Sequence, residues 1–329
     1  MSAHDLLPGS TYTLHEVELD YVPMFYTSSV HFDWIMAQEK HILGDVVETI
    51  RGGECGTVID VGMNDGFYTM LFAALGCEVY SFEVQPRCIE VALGVALKNN
   101  LTHRINVFES PVTAKDGEYV GVSMGAQSTG SCDGGFSIHA NNPGEAAHIP
   151  FEKIGERRLR GTQLDNMFLG LMDEITYVKV DVEGHELEVF EGALSLFRHR
   201  RIVKLVFEAN TALWTGSDLT KLSIIDEIIG YGYDLKCSSN QDSIQSAQIP
   251  NRPEGCGIDL FLQRKNGLKT IGLEKSQDNV NVGTRQLIGA HTLTKRDHAE
   301  SANSVVSLAI IFVFAYCALF ILKRMPKRI

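Results

Sequence analysis

Apolar residues between positions 57 and 263 follow two patterns, which predict strands and helices in alternation. Continuous apolar runs of about four to eight residues are typical of strands buried on both faces, and apolar residues three or four apart predict helices. The predicted strands are residues 57–61, 78–82, 105–108, 175–180, 202–207, 233–237 and 258–263. The predicted helices are residues 30–50, 67–75, 86–98, 164–171, 183–197 and 219–229.

The order of these elements predicts the fold class. Strands that alternate with helices indicate an α/β fold with a doubly wound, mostly parallel sheet of seven strands. The last two strands are joined by a loop without a helix, so we expect them to pair antiparallel at one edge. We assign this domain to residues 30–264, after an N-terminal extension of residues 1–29.

One long segment inside the domain lacks regular periodicity. Residues 113–161 are rich in Gly, Ser, Asn and Asp, with a weak strand pattern around 119–122. Long irregular inserts in compact domains are usually functional or mobile. We therefore predict either a substrate lid here, with Phe136, His139 and Asn141 as its candidate contact residues, or a disordered surface loop.

The C-terminal region has the composition of a membrane anchor. Residues 301–322 contain no charged side chain, and a helix of that length spans about 33 Å, enough for a hydrocarbon core of about 30 Å. We predict a polar linker at 265–303, a transmembrane helix at 304–322 and a basic tail at 323–329. The tail carries Lys323, Arg324, Lys327 and Arg328 next to the predicted helix.

Two sequence features disagree about which side of the membrane holds the domain. Residues 1–20 contain no apolar stretch of the kind found in secretory signals, which favours a tail-anchored protein with a cytosolic domain. The four basic residues beyond the span favour the opposite orientation under the positive-inside rule. We give the first feature more weight, because the tail is short, and predict a single-pass C-terminal anchor with a cytosolic catalytic domain.

Charge excludes one class of partner. The net charge is −12, but residues 285–329 carry +5 and the remainder carries −17. An acidic domain repels phosphate backbones, so no nucleic-acid partner is expected.

Cysteine usage agrees with a cytosolic domain. The chain has seven cysteines, an odd number, and Cys317 falls in the predicted span. Cys-x-x-Cys and zinc-ligand spacings do not occur, so we predict neither a disulfide framework nor a structural zinc site. The glycosylation sequon Asn100-Leu101-Thr102 has no consequence in a cytosolic chain.

The first chemical motif follows the first strand of the domain. In the stretch 60–66, Asp-Val-Gly-Met-Asn-Asp-Gly, Gly62 and Gly66 permit close backbone approach before a helix that favours an anionic group. Glu83 ends the next strand, where an acid can accept both ribose hydroxyls. A dinucleotide site would require Gly-x-Gly-x-x-Gly. The more polar loop, with Asp60 and Asn64, fits S-adenosylmethionine (SAM), which has an amino-acid end and no phosphate.

The second motif lies at the end of the strand 175–180. Asp181, Glu183 and His185 follow this strand, at the carboxyl ends of the strands, where open α/β sheets bind ligands. We take these three residues as candidate catalytic bases. Glu186 and Glu188 have the simpler interpretation of helix capping and solvated charge.

These motifs together resemble the FkbM-type family of SAM-dependent methyltransferases, which have a class I, Rossmann-like fold. The family pattern Asp-Val-Gly-Ala-Asn-x-Gly-x-Tyr-Thr is matched at 60–69 with Met63 in place of Ala, and Phe-Glu-Pro-x-Pro is similar to 82–86. Lys-x-Asp-Val-Glu-Gly-x-Glu is matched at 179–186, and the segments 162–165 and 206–208 are also similar to family motifs. The resemblance implies that Asp60, Gly62, Asn64 and Gly66 hold the methionine part of SAM and that Glu83 holds its ribose.

The resemblance also implies methyl transfer, for which we expect a hydroxyl oxygen of a small-molecule, sugar or lipid acceptor. Asp181, Glu208 and Asn210 are similar to the divalent-cation site of catechol-type O-methyltransferases, so these residues are the candidate ligands if a Mg²⁺ ion is used beside SAM. Two alternatives stay open. One is N-methylation of a protein or lipid headgroup, and the other is a catalytically silent, methyltransferase-like membrane scaffold. An oxidoreductase is disfavoured because the dinucleotide motif is missing.

Overall fold

A computed structural model describes residues 14–28, 32–51, 55–124, 132, 136–139, 155–170, 174–214, 220–269 and 271. All of them belong to one compact unit, Met1–Arg285. Among these residues, no helix has the length and apolar character that a bilayer crossing needs. The predicted membrane helix at 304–322, the basic tail and most of the predicted linker lie outside the described residues.

A seven-stranded sheet forms the centre of the unit. Its strands are β3 (Thr57–Val61), β4 (Glu78–Glu83), β5 (Ile105–Glu109), β9 (Ile175–Val180), β10 (Ile202–Glu208), β11 (Tyr233–Cys237) and β12 (Asp259–Arg264). They lie in the order β11-β12-β10-β9-β3-β4-β5. The pairs β10–β9, β9–β3, β3–β4 and β4–β5 are parallel, whereas β12 runs antiparallel to both β10 and β11. This confirms the doubly wound sheet and its antiparallel edge.

Apolar cores cover both faces of this sheet. Because successive strand side chains point to opposite faces, Val58 packs in one core while its neighbour Ile59 packs in the other. Both residues are fully buried, as the continuous apolar runs predicted. The helices are α1 (Phe32–Gln38), α2 (Lys40–Arg51), α3 (Phe67–Ala74), α4 (Pro86–Lys98), α5 (Leu164–Phe168), α6 (Glu186–Glu191), α7 (Leu194–Arg198) and α8 (Ser223–Gly230).

Two predicted helices are divided in the structure. The helix predicted at 30–50 is interrupted at Glu39, between α1 and α2. The helix predicted at 183–197 begins only at Glu186, because Glu183 and Gly184 have positive φ angles of 53° and 99°. It then breaks near Gly192, where a Cβ atom would lie 2.3 Å from the carbonyl oxygen of Thr113. Hydrophobic periodicity cannot show these breaks, because they depend on local backbone geometry and on contacts with distant segments.

The insert at 113–161 is more regular than predicted. Its described parts form the strands β6 (Tyr119–Met124), β7 (Phe136–His139) and β8 (Gly155–Arg160). They pair as a separate antiparallel sheet in the order β7-β6-β8. The expectation of a largely irregular insert is therefore wrong, and the reason is that β8 carries four charged residues and shows no apolar alternation. Phe136 and His139 begin and end β7, whereas Asn141 lies outside the described residues.

At both predicted domain boundaries, residues outside the predicted domain contact residues inside it. In the predicted N-terminal extension, β1 (His15–Val17) and β2 (Phe25–Thr27) pair antiparallel. Val17 and Phe25 are buried in the same core as α2 and α3. At the other end, the Ile271 amide donates to the carbonyl oxygen of His199 at 2.9 Å, so the chain contacts the domain beyond residue 264.

Six cysteines form three disulfides in the structure. The pairs are Cys55–Cys77, Cys88–Cys132 and Cys237–Cys256, with Cα–Cα distances of 4.7, 5.1 and 5.1 Å. These separations lie in the range that disulfide geometry requires. The prediction of no disulfide framework is therefore wrong. The partners are separated by 22, 44 and 19 residues, so no short spacing motif marks them in the sequence.

Candidate active site

The loop after β3 depends on two glycines. Gly62 and Gly66 have φ angles of 80° and 89°, which residues with a side chain rarely adopt. A Cβ atom on Gly62 would lie 1.8 Å from the carbonyl oxygen of Asp181, and one on Gly66 would lie 2.8 Å from Cβ of Ala92. The amide of Gly62 donates to the carbonyl oxygen of Phe82 at 2.9 Å. Gly62 therefore lets this loop pack against the end of β9, and Gly66 lets it pack against helix α4.

Asp60 is fully buried at the base of this loop. Its Oδ2 accepts a hydrogen bond from the Thr69 hydroxyl at 2.6 Å. Its Oδ1 is buried and has no hydrogen-bond partner among the described residues. Burial raises the pKa of Asp60, and the positive charge of Lys179 opposes that rise. A buried acceptor without a donor fits the ammonium group at the amino-acid end of SAM.

Glu83 ends β4 with its carboxylate held by backbone amides. The amides of Asn64, Val84 and Gln85 donate to it at 2.8, 2.8 and 2.9 Å. Burial raises the pKa of Glu83 to about 7, although these three donors favour the charged form. Oε1 accepts the bonds from Val84 and Gln85, whereas Oε2 accepts only the bond from Asn64 and retains one lone pair. The contact of Glu83 with the ribose hydroxyls stays a prediction.

The cleft beside Glu83 includes residues that sequence reasoning missed. Its volume is about 20 Å³, close to the space of one water molecule, so a nucleoside requires the cleft to open. Ser110 donates to the carbonyl oxygen of Arg160 at 2.8 Å, which ties this wall to the end of β8. The lining residues are Val61, Gly62, Phe82, Glu83, Val84, Ser110, Pro111, Val112 and Val182.

A buried lysine connects the two motifs. Lys179 lies beside Asp60 in the register of β9 and β3, and its Nζ lies 2.8 Å from Oδ2 of Asp181. Burial acts to lower the pKa of Lys179, but the charges of Asp181, Asp60 and Glu39 outweigh it and raise the pKa. Sequence reasoning treated Lys179 only as a motif residue. The structure shows that it holds Asp181 in position.

The N-terminal helices contribute a residue to the same network. Glu39 lies between α1 and α2 and accepts a hydrogen bond from the Tyr68 hydroxyl. The ring of Tyr68 lies 5.0 Å from Nζ of Lys179. Burial raises the pKa of Glu39, and Lys179 opposes the rise. No local motif around Glu39 indicates this role, because it depends on packing between distant segments.

Three carboxylates converge where β9 and β10 end. Asp181, Glu183 and Glu208 each place one oxygen within 4.8 Å of the others. Burial raises the pKa of Glu208 to about 9, with further contributions from the negative charges of Asp181 and Glu183. Oxygen ligands of this kind suit Mg²⁺. Of the predicted metal ligands, Asp181 and Glu208 lie in this group, and Asn210 follows Glu208 by two residues.

The remaining motif residues have separate positions. His185 is half-buried at the N-cap of α6, and its role as a base stays a prediction. Glu186 is fully buried and accepts hydrogen bonds from the Gly184 amide at 3.0 Å and the Trp214 indole at 2.8 Å. The interpretation of Glu186 as a solvated charge is therefore wrong. Glu188 forms an ion pair with Lys221 at the start of the α8 region.

A larger cavity lies away from these groups. It has a volume of about 770 Å³ and is bounded by α2 and the β1–β2 turn. Its wall is formed by Leu19, Asp20, Tyr21, Met36, Lys40, Leu43, Gly44, Val47, Glu48 and Arg51. Because this wall includes none of the predicted site residues, cavity size does not locate the candidate site.

Comparison with protein families decides the classification. The model described as the methyltransferase FkbM domain matches residues 60–235, more than half of the chain. The chain belongs to the FkbM methyltransferase family. This confirms the predicted resemblance and makes the protein a member of a SAM-dependent methyltransferase family. The match includes both motifs and the strands that place them.

Solved structures of other methyltransferases are also similar to this FkbM-family chain. A human methyltransferase 10 domain containing protein has 16% identity and a TM-score of 0.36, covering 69% of this chain and 82% of that one. The N-terminal domain of human METTL16 in complex with SAH has 15% identity and a TM-score of 0.35, covering 68% and 69%. Precorrin-6y C5,15-methyltransferase from Geobacter metallireducens has 13% identity and a TM-score of 0.33, covering 64% and 78%. A comparison with curated proteins finds no match to the sequence.

Proposed function

We propose that the protein transfers a methyl group from SAM to a hydroxyl oxygen of a small-molecule, sugar or lipid acceptor. The observation that supports this proposal is the convergence of Asp181, Glu183 and Glu208 beside the glycine loop. The sulfonium of SAM activates the methyl group, so the protein needs to align an acceptor oxygen and remove its proton. Alignment supplies most of the acceleration, and a positioned base adds typically 10²–10⁴-fold.

The proposed reaction is a single displacement. A lone pair of the acceptor oxygen forms the new bond to the methyl carbon, and the carbon–sulfur bond breaks with its electron pair left on sulfur. The acceptor proton passes to one carboxylate of the Asp181, Glu183 and Glu208 group, with His185 as the other candidate base. S-adenosylhomocysteine (SAH) and the methylated acceptor are the products.

The same carboxylates are the proposed Mg²⁺ ligands. Asp181, Glu183 and Glu208 would hold the ion, together with Asn210 from the sequence-based assignment. A bound Mg²⁺ would lower the pKa of an acceptor hydroxyl. Lys179 would keep the Asp181 carboxylate oriented towards this position, since its Nζ lies 2.8 Å from Oδ2.

Membrane attachment is the other part of the proposal. The apolar segment 304–322 and the basic residues after it have the composition of a single span with a headgroup-facing tail. An enzyme held at a membrane meets lipids and glycolipids at high local concentration. We therefore favour a membrane-associated acceptor.

The direct test is incubation of the full-length protein with methyl-labelled SAM and a membrane extract. We expect label in a small-molecule or lipid product, identified as a methyl ether by mass spectrometry. Asp181→Asn should abolish the product, and the matched variant Glu188→Gln, in the adjoining helix, should retain it. Label found only in protein or nucleic acid would contradict the proposal.

Metal dependence requires a separate measurement on the same product. EDTA should stop its formation, and added Mg²⁺ should restore it. Full activity in EDTA, with no gain from Mg²⁺, would exclude the metal and leave a carboxylate as the base.

N-methylation is the second candidate, and the same carboxylate cluster favours it. Asp181, Glu183 and Glu208 would attract a cationic amine on a protein or lipid headgroup. Product analysis separates an N-methyl group from an O-methyl group. A silent scaffold would show no methylated product in any extract, and calorimetry would then show whether it retains SAM binding.

A further inference from the structure

All six cysteines of the folded domain are paired in disulfides. The pairs connect separate parts of the described structure: the segments before β3 and β4, helix α4 with residue 132, and β11 with the loop before β12. Cys317, in the predicted membrane span, accounts for the odd total. Cytosolic thiols are kept reduced, whereas disulfides form and persist in secretory and extracellular compartments. Complete pairing of the domain's cysteines therefore points to an oxidising compartment.

The sequon at Asn100 lies on the surface of this domain. Helix α4 ends in a Schellman arrangement, in which the Asn100 amide donates to the carbonyl oxygen of Leu97 and the Leu101 amide donates to that of Ala96. Asn100 has a φ angle of 57°, and both Asn100 and Thr102 are exposed. An exposed Asn-x-Thr turn is accessible for N-glycosylation in a protein of the secretory pathway.

The charge distribution at the C-terminus agrees with the same orientation. Four basic residues, Lys323, Arg324, Lys327 and Arg328, follow the predicted span. If the predicted span crosses a membrane, the positive-inside rule favours an orientation with these residues in the cytosol and the domain outside it.

We propose that the catalytic domain matures in the secretory pathway, on the non-cytosolic side of its membrane, and carries an N-linked glycan on Asn100. This orientation is opposite to the cytosolic one predicted from the sequence. It does not depend on the identity of the methyl acceptor.

The covalent steps balance with the usual co-reactants of that compartment. A bond forms between Nδ2 of Asn100 and the first sugar carbon of a lipid-diphosphate-linked oligosaccharide. The sugar–phosphate bond breaks, the lipid diphosphate leaves, and the amide loses one proton. Formation of the three disulfides removes six electrons and six protons, which pass to the disulfides of thiol oxidoreductases and reduce them to dithiols.

The test uses the full chain and its variants, tagged and produced in the cells that naturally make the protein. Treatment with a peptide N-glycosidase should make the wild type migrate faster on a denaturing gel. Thr102→Ala should migrate at the deglycosylated position without treatment, whereas Thr102→Ser, which keeps the sequon, should retain the shift. Asn100→Gln should behave like Thr102→Ala, but its left-handed backbone makes Thr102→Ala the cleaner variant.

Thiol counting on the same unreduced protein provides the second readout. Alkylation followed by mass spectrometry should label Cys317 and leave the other six cysteines protected until a reductant is added. A wild type whose mobility is unchanged by the glycosidase overturns the proposal. Alkylation of all seven thiols without reduction also overturns it.

Discussion

The ammonium group of Lys179 lies 2.8 Å from Oδ2 of Asp181, and this contact connects the cofactor loop with the carboxylate cluster. Lys179 is buried between Asp181, which solvent partly reaches, and Asp60, which solvent does not reach. One cation thus interacts with both motif carboxylates. The Lys179 side chain lies in the interior, where an unpaired charge would be strongly unfavourable.

Replacing Lys179 should destabilise the fold. Removing one partner of a buried ion pair leaves the other charge uncompensated, so Lys179→Met should lower the free energy of unfolding by about 3 kcal/mol. The control is Lys265→Met, since Lys265 forms an exposed pair with Asp234 that should contribute less than about 1 kcal/mol. Urea unfolding followed by circular dichroism measures both. Equal effects of the two substitutions would contradict this account of Lys179.

Substitution of Gly62 should prevent cofactor binding. In Gly62→Ala the new methyl group would overlap the carbonyl oxygen of Asp181, at a φ angle that alanine also disfavours. Calorimetry with SAH should show at least a hundredfold loss of affinity, on the order of 3 kcal/mol.

The control for Gly62 is Gly76→Ala. Gly76 has a similar φ angle of 94°, but a Cβ atom there would have no neighbour within 4 Å. This variant should bind SAH like the wild type. The strained backbone of alanine at this φ angle should lower its free energy of unfolding slightly. Unchanged SAH affinity in Gly62→Ala would show that the loop does not hold the cofactor.

Cofactor affinity should depend on pH through Glu83. Because burial raises the pKa of Glu83 to about 7, the carboxylate that accepts the ribose hydroxyls becomes protonated below neutral pH. SAH affinity should then fall by up to about tenfold for each pH unit below 7. Calorimetry at several pH values measures this slope. Glu83→Gln should weaken binding at pH 8 and remove the part of the slope that belongs to Glu83.

The Glu83 carboxyl group should also make the stability of the fold depend on pH. Protonation weakens SAH binding, but it stabilises the folded protein. The native state binds the Glu83 proton more tightly than the unfolded chain does, since the folded pKa is the higher one. This contribution is complete at acidic pH, below the unfolded pKa of about 4.3, and is lost as the pH rises through about 7. Between those values the wild type should lose stability relative to Glu83→Gln in denaturant titrations. A constant difference between the two proteins would contradict the raised pKa.

Loss of the Cys237–Cys256 disulfide should lower the melting temperature. This bond closes a segment of 19 residues between β11 and the loop before β12, and loop closure of this size contributes about 3 kcal/mol. The double variant Cys237→Ser/Cys256→Ser should therefore melt earlier by calorimetry of the full-length protein. Cys317→Ser is the control and should melt like the wild type. Equal melting temperatures in all three proteins would indicate that the disulfide does not stabilise the domain.

Local patterns in the chain were sufficient to predict the sheet strands and to find both motifs. A buried strand is a short apolar run, and the glycines of the 60–66 loop stand beside residues with which they act. The family, the α/β class and the antiparallel edge were therefore predicted correctly. The amide of Asn64 and the carboxylate of Glu83 meet because β3 and β4 are neighbours in the sheet, and the cofactor contacts of Asp60, Asn64 and Glu83 stay predictions.

Other features required the folded structure because they join distant parts of the chain. The three disulfides connect cysteines separated by 19 to 44 residues, and the contact of Tyr68 with Glu39 joins α3 to the N-terminal helices. The inclusion of Glu183 in the carboxylate cluster depends on its positive φ angle, and the burial of Glu186 depends on Trp214. Hydrophobic periodicity records which face of an element is buried, but it contains no information about which distant side chain lies opposite. The sequence was therefore enough to identify a methyltransferase, whereas the pairing of its cysteines and the charge balance of its site were determined by tertiary packing.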